Sequence, residues 1–144
     1  KFKSLIGNAC ALNDIVDNAY DLVHSNSVIE HVGNWDQMTR MAANVRRLAP
    51  QYYVQTPNFW FPYEPHFRAP FFHWLPEQLR AELLMRFNLG FGGKRVNLDA
   101  AMRGLQSATL ISAAQMQYLF PDAKILRERA FGLSKSLMAV RSQA

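Results

Sequence analysis

Tyr20 to Ser25 (YDLVHS) is followed by a helical stripe and then by a second β-rich run, and this order constrains the fold more than any other feature. Leu22 and Val23 are apolar side by side rather than alternating, which predicts a strand covered on both faces. Asn34 carries an N-cap side chain for a helix over Trp35–Leu48, whose Met38, Met41, Ala42, Val45 and Leu48 make one apolar stripe. Arg46 and Arg47 suit the negative end of the helix dipole, and Pro50 stops it. Tyr52–Gln55 is the next strand, ended by Thr56-Pro57-Asn58. Parallel strands joined through a helix form a βαβ unit, so the chain is expected to be α/β.

The remaining segments are read in the same way. Phe2–Ala9 suits a short strand running into a turn. From Asn58 to Pro76 the periodicity fails: this stretch holds four of the seven prolines and two of the three tryptophans. Proline excludes a long helix or a central strand, and such dense aromatics predict a functional loop or lid packed over something. Glu77–Phe87 returns to helical spacing through Leu79, Leu83 and Phe87, behind Pro76. Gly90, Gly92 and Gly93 mark a break, Leu98–Leu110 reads as helix, and Ser112 with Gln115 forms a capping box for a helix ending at Phe120-Pro121. Lys124–Phe131 and Ser136–Val140 are expected to be two strands joined through Gly132–Lys135.

Composition narrows the function classes. A chain of 144 residues with 49% hydrophobic and 19% charged residues suits one globular domain and excludes a disordered tail. No apolar run approaches membrane-spanning length. The single Cys10 rules out a disulfide within the chain and fits a reducing cytoplasm. Net charge is +5, but Arg46-Arg47 and Lys94-Arg95 are the only adjacent basic pairs, so a solvated basic surface is expected rather than a nucleic-acid site.

Complete catalytic motifs are missing. His24, His31, His66 and His73 lack the spacing of a zinc helix, so hydrogen-bonding or substrate-facing roles are expected and no metal. There is no Gly-x-Ser-x-Gly elbow, and Gly90-Phe91-Gly92-Gly93 lacks the lysine-serine ending of a phosphate loop. What remains is the run after the first buried strand: Ser25, Asn26 and Ser27, then Glu30 and His31. Open α/β sheets bind ligands beyond the carboxyl ends of their strands, and histidine exchanges protons near neutral pH.

That run, YDLVHSNSVIEHV, resembles the fourth strand of class I S-adenosylmethionine-dependent methyltransferases, particularly the small-molecule, type 11-like group. The resemblance continues in order. KFKSLIGNACAL is similar to the third strand and its adenine-contacting turn, NWDQMTRMAANVRRLAP to the helix after the fourth strand, and YYVQTPNFW to the fifth strand. LFPDAKILRERAFGLSKSLMAVR is similar to the last helix and the antiparallel sixth and seventh strands, a hairpin that a dehydrogenase-type fold does not explain.

The resemblance implies a Rossmann-like α/β fold of strands three to seven, the last antiparallel, with helices on both faces. Residues 1–144 would be the C-terminal portion of one methyltransferase domain, a fragment or a naturally incomplete relative, because the first strands, the glycine-rich turn and the ribose-binding acidic residue are not in the sequence. A lid insertion would occupy about residues 58–76. The implied function is methyl transfer from S-adenosyl-L-methionine to an O, N or C nucleophile of a small molecule. Asn8 and Ala9 would face the adenine, although the family usually has Asp where this chain has Asn8. Ser25, Asn26 and Ser27 would line the methionine part. His31 is the first candidate base, with Glu30 or His66 behind it, and Trp60, Glu64, His66 and His73 would meet the acceptor. A degenerate, non-catalytic interaction scaffold is the alternative. Without its first strands the sheet would leave an unpaired edge open to self-association.

Overall fold

The structure, a computed structural model, describes Ser4 and residues 6–142. Helix α1 (Trp35–Leu48) begins at a reciprocal capping box: Asn34 Oδ1 accepts the Gln37 N–H at 3.1 Å, and Gln37 Oε1 accepts the Asn34 N–H at 2.9 Å. Its stripe of Met38, Met41, Ala42, Val45 and Leu48 is buried as the spacing requires. On either side of α1 in the chain, β1 (Leu22–Asn26) and β2 (Gln51–Pro57) pair in parallel, with Ser25 opposite Val54. This is the expected βαβ unit.

Three short helices follow: α2 (Glu77–Arg86), α3 (Leu98–Leu105) and α4 (Ala113–Leu119). Ser112 and Gln115 form the expected capping box of α4. The chain closes with the hairpin β5 (Lys124–Ala130) and β6 (Leu133–Arg141), and the four-stranded sheet has the order β1-β2-β6-β5. Strand β6 inserts antiparallel between β2 and β5, which makes the sheet mixed.

Side-chain alternation assigns the faces. Val23, Tyr52, Val54, Leu137, Ala139 and Ile125 share one face, where they pack with α1, α4, Ile29 and Ile111. Among the described residues α1 and α4 therefore cover one face, and no helix covers the other. On the other face Leu22 is 56% and Leu126 39% exposed, and no helix among the described residues packs there. Strand β1 is thus not the doubly covered strand that adjacent Leu22 and Val23 predict: among the described residues it is an edge with no partner on its outer side. The expected N-terminal strand falls partly outside the described residues, at Phe2, Lys3 and Leu5; residues 6–8 have no regular structure and Ala9-Cys10 lie in a turn.

The aromatic segment is built around a small hairpin, β3 (Tyr63–Glu64) against β4 (Ala69–Pro70). Phe67 and Phe72 are buried against Ala81, Leu84, Ala101 and Leu105 of α2 and α3, a second core of its own. The stripe expected to bury α2 is displaced accordingly: Leu79 and Phe87 stay exposed, while small Ala81 lets α3 approach through Ala101. Helix α3 is shorter than its sequence pattern. It ends at Leu105, after which Ile111 bridges to Asn58 in an extended stretch suited to β-branched Thr109 and Ile111.

The β5–β6 turn is tighter than expected. Ala130 pairs with Leu133, so only Phe131 and Gly132 form the loop, with φ of 52° and 79°. Both central residues of a type I′ turn need positive φ, and a fully exposed phenylalanine is strained there for no packing gain. Phe131→Asn should therefore raise stability by about 1 kcal/mol. Urea unfolding checks this, and a lower midpoint would contradict it.

Arg141 ties the last strand to the end of α1. Its guanidinium donates to the carbonyls of Arg46 (2.8 Å), Ala49 and Pro50 (2.8 Å), pairs with Asp122 and lies 4.6 Å from the Tyr52 ring centroid. The Tyr52 hydroxyl donates to Asp122 at 2.6 Å. Burial first, and then the bond to Asp122, push the Tyr52 phenol well above its ordinary value. Burial opposes ionisation of Asp122, but the hydrogen bonds from Tyr52 and Arg141 outweigh it and hold the carboxyl below its ordinary value of 3.8. A carboxyl depressed in the folded state stabilises fully above its unfolded pKa and loses that contribution as pH falls through the folded one. Asp122→Asn is thus expected to lower stability at neutral pH and to flatten the stability–pH curve below about pH 4. An unchanged acid limb in the variant would contradict this.

Candidate functional site

Small residues at the carboxyl end of β1 make the chain turn sharply. Ser27 adopts φ 53°, donates its N–H to the Gln55 carbonyl at 3.0 Å and its hydroxyl to Gln55 Oε1 at 3.0 Å. The next residues, Ile29–His31, form a single 3-10 turn that sends alternate groups to different environments. Ile29 enters the core, Glu30 is 1% exposed, and His31 faces solvent. A carboxylate buried this deeply needs donors. Glu30 Oε2 accepts the Thr56 hydroxyl at 2.9 Å, whereas Oε1 is buried with no partner among the described residues.

The aromatic segment brings a second carboxylate–histidine pair to the same place. Glu64, 3% exposed, accepts the Phe67 N–H at 2.5 Å through Oε2 and holds His66 Nδ1 at 2.7 Å through Oε1. His66 Nε2 lies 3.2 Å from His31 Nε2, and His31 Nδ1 lies 2.7 Å from the Ser107 carbonyl. Carbonyl and carboxylate oxygens only accept, so both Nδ1 atoms carry hydrogens and both neutral rings turn Nε2 lone pairs toward each other. The bond to Glu64, reinforced by the charges of Glu64 and Glu30, lifts His66 above its ordinary value of 6.5 against the effect of burial. Without another cation, a proton on His66 joins the two rings.

The other candidate residues separate. Ala9, Ser25 and Asn26 line one cleft of about 270 Å³ with Val23 and Asn44, and the Ser25 hydroxyl there is buried without a partner among the described residues. Asn8 is exposed beside this cleft and turns its side-chain oxygen onto the Cys10 N–H at 2.9 Å. Ser27 lines a different cleft with Gln55, Asn58, Tyr63 and Glu128. His73 donates through Nε2 to the Phe59 carbonyl at 2.7 Å and lines a cleft on the α2 side of Glu64. Trp60 is 65% exposed in an aromatic cluster with Phe59 and Trp74. Of the four residues expected to meet the acceptor, only Glu64 and His66 join Glu30 and His31.

Sequence reasoning missed three contributors. Thr56 could have been found, since it follows Tyr52 and Val54 on the buried face of β2 as a lone polar residue. Ser107 acts through its carbonyl, and the Thr109 N–H donates to the Glu30 carbonyl at 2.7 Å. Both act through the backbone after the shortened α3, and backbone groups carry no side-chain signature.

No family model matches the chain. Two uncharacterised proteins of Mycobacterium tuberculosis (strains CDC 1551 / Oshkosh and H37Rv) are each 34% identical over 64 residues, which covers 44% of this chain and 22% of theirs. A solved SAM-dependent methyltransferase from Methanosarcina mazei superposes with a TM-score of 0.51 at 12% identity, covering 93% of this chain and 63% of that one. The fold is methyltransferase-like. A putative zinc-dependent alcohol dehydrogenase from Rhodobacter sphaeroides superposes with the same TM-score at 6% identity, covering 95% of this chain and 63% of the other. Both likenesses are of fold alone. The methyltransferase-like sheet sets Ser25 to Ser27 at the carboxyl end of β1, beside β2, where open α/β sheets bind ligands. Among the described residues no helix is long and apolar enough to cross a membrane.

Proposed function

We propose that this chain is the C-terminal portion of a cytoplasmic methyltransferase domain that uses S-adenosyl-L-methionine to methylate a small molecule. The observation that carries this reading is the Glu64–His66–His31 relay, set one turn beyond the small residues at the carboxyl end of β1. The Ser25 hydroxyl, buried without a partner among the described residues in the cleft lined by Ala9, Asn26 and Val28, supports a polar ligand at the end of β1 that leads into the His31 turn. Ala9, Ser25 and Asn26 would hold the cofactor, with Asn8 at its outer rim, while Ser27, which lines a different cleft, would shape the turn after β1. When bound, the cofactor supplies an electrophilic sulfonium methyl.

The chain's own residues then position and deprotonate. The facing Nε2 atoms of His31 and His66 take the acceptor's proton between them, His31 being fixed by the Ser107 carbonyl, and Glu64 balances the positive charge this leaves on the rings. Buried Glu30 adds negative potential that favours a protonated ring. The 58–76 segment acts as the lid and carries Glu64 and His66 into the site. Incubating the full-length protein with methyl-labelled cofactor and a panel of small nucleophiles tests the reading; label in a small product supports it.

A second reading, a methyltransferase-like scaffold without catalysis, draws on Asn8, whose side-chain oxygen is engaged by its own turn. Failure to transfer label together with failure to bind S-adenosylhomocysteine would favour it. The outer edge of β1, which has no partner among the described residues, supports self-association in either case, and concentration-dependent sedimentation tests that.

A further inference from the structure

The relay has an electrostatic gap that hydrogen bonding alone does not fill. Three acceptors converge on it: one Glu30 carboxylate oxygen and a ring nitrogen each of His31 and His66, all within 4.8 Å of one another. Glu30 Oε1 is buried with no partner among the described residues, and a buried carboxylate oxygen ordinarily has a donor or a cation to compensate its lost hydration. The two Nε2 atoms stand 3.2 Å apart, the separation that bonds of about 2.1 Å make at an angle of about 100°. That angle lies between octahedral and tetrahedral coordination.

The groups behind these three complete the pattern. Glu64 accepts from His66 Nδ1 and the Ser107 carbonyl accepts from His31 Nδ1, so each ring is locked in the tautomer that offers Nε2. Thr56 fixes the other oxygen of Glu30. Outer-shell partners of this kind orient metal-binding histidines and raise their basicity. His31 is exposed, which leaves open positions on the solvent side.

We infer that Glu30, His31 and His66 bind a divalent first-row transition ion, such as zinc, manganese or iron, through two imidazoles and one carboxylate. The ion balances the buried carboxylate, separates the facing lone pairs and keeps positions open for water or an oxygen donor of a ligand. Local spacing rules miss the site because His31 and His66 come from different elements 35 residues apart. The ion would occupy the nitrogens that the proposed proton transfer uses, so it and the shared proton are alternative occupants of one site, and metal binding is read apart from methyl transfer.

Cobalt(II) is the direct probe. Chelator-treated full-length protein is titrated with cobalt(II), read by visible d–d absorption, and then with zinc(II), read by calorimetry. The expected result is an absorption that saturates at one equivalent and is displaced by zinc. His31→Ala and His66→Ala each abolish the absorption while keeping the circular dichroism of the parent. Glu64→Gln, which keeps the shape of the outer partner, weakens binding about 10–100-fold. An unaltered protein that gives no cobalt absorption, or histidine variants that bind as tightly as the parent, would overturn the inference.

Discussion

His66→Ala in the full-length protein is expected to slow methyl transfer about 10²–10⁴-fold, the range that a positioned proton-transfer group supplies. The expectation follows from how the ring is held. Glu64 is buried and fixed by the Phe67 N–H, so its carboxylate sets His66 at 2.7 Å rather than following it. His66 in turn meets His31, whose other nitrogen is anchored on the Ser107 carbonyl. The rings act as one unit, so the His31→Ala, His66→Ala double variant should lose little more than either single variant. His31 sits outside the two apolar cores, so His31→Ala should leave the melting temperature little changed, whereas His66→Ala takes a donor from buried Glu64 and should lower it. Unchanged turnover in both single variants would remove the proton-transfer role from the pair.

Gly90→Ala should cost about 3 kcal/mol or more and disable the site together with the fold around it. Gly90 has φ +66°, and a Cβ there would stand 2.3 Å from the His66 carbonyl oxygen and 2.8 Å from Phe67 Cα. Both are backbone atoms, so no rotamer change relieves the overlap. The 66–67 segment must move, which takes His66 off Glu64 and away from His31. Gly132→Ala is the matching control: its φ is +79°, but a Cβ there meets nothing within 4 Å. It should cost only the left-handed penalty of about 1 kcal/mol and leave the site intact. Equal losses in the two variants would show that backbone strain alone, and not the contact with His66, decides the effect.

The parts of this fold that were legible in the sequence are those decided within a few residues. Asn34 with Gln37 and Ser112 with Gln115 start α1 and α4 where their side chains require, and the Met38–Leu48 stripe buries as its spacing says. Long-range circumstances were not legible. Adjacent apolar Leu22 and Val23 read as doubly covered, yet the outer edge of β1 has no partner strand among the described residues and Leu22 stays exposed. Helix α3 has helical sequence past Leu105, but Thr109 and Ile111 are better used in the extended stretch that meets Glu30 and Asn58.

The candidate site shows the same division. Glu30 and His31 stood out because small residues precede them at a strand end. Glu64 was suspected only as a lid residue and His66 as a lid residue and a fallback base, since nothing local says that a small hairpin will carry them onto His31. Trp60 and His73 have the same composition signal and lie elsewhere, one in an exposed aromatic cluster and one beside α2. Composition marked the segment; packing of Phe67 and Phe72 on α2 and α3 decided which of its residues reach the relay.

The central claim, that the cleft of Ala9, Ser25 and Asn26 at the end of β1 serves a methyl donor, is tested most directly by calorimetric titration of S-adenosylhomocysteine into the full-length protein. One-to-one binding in the micromolar range is predicted. No detectable binding would contradict it.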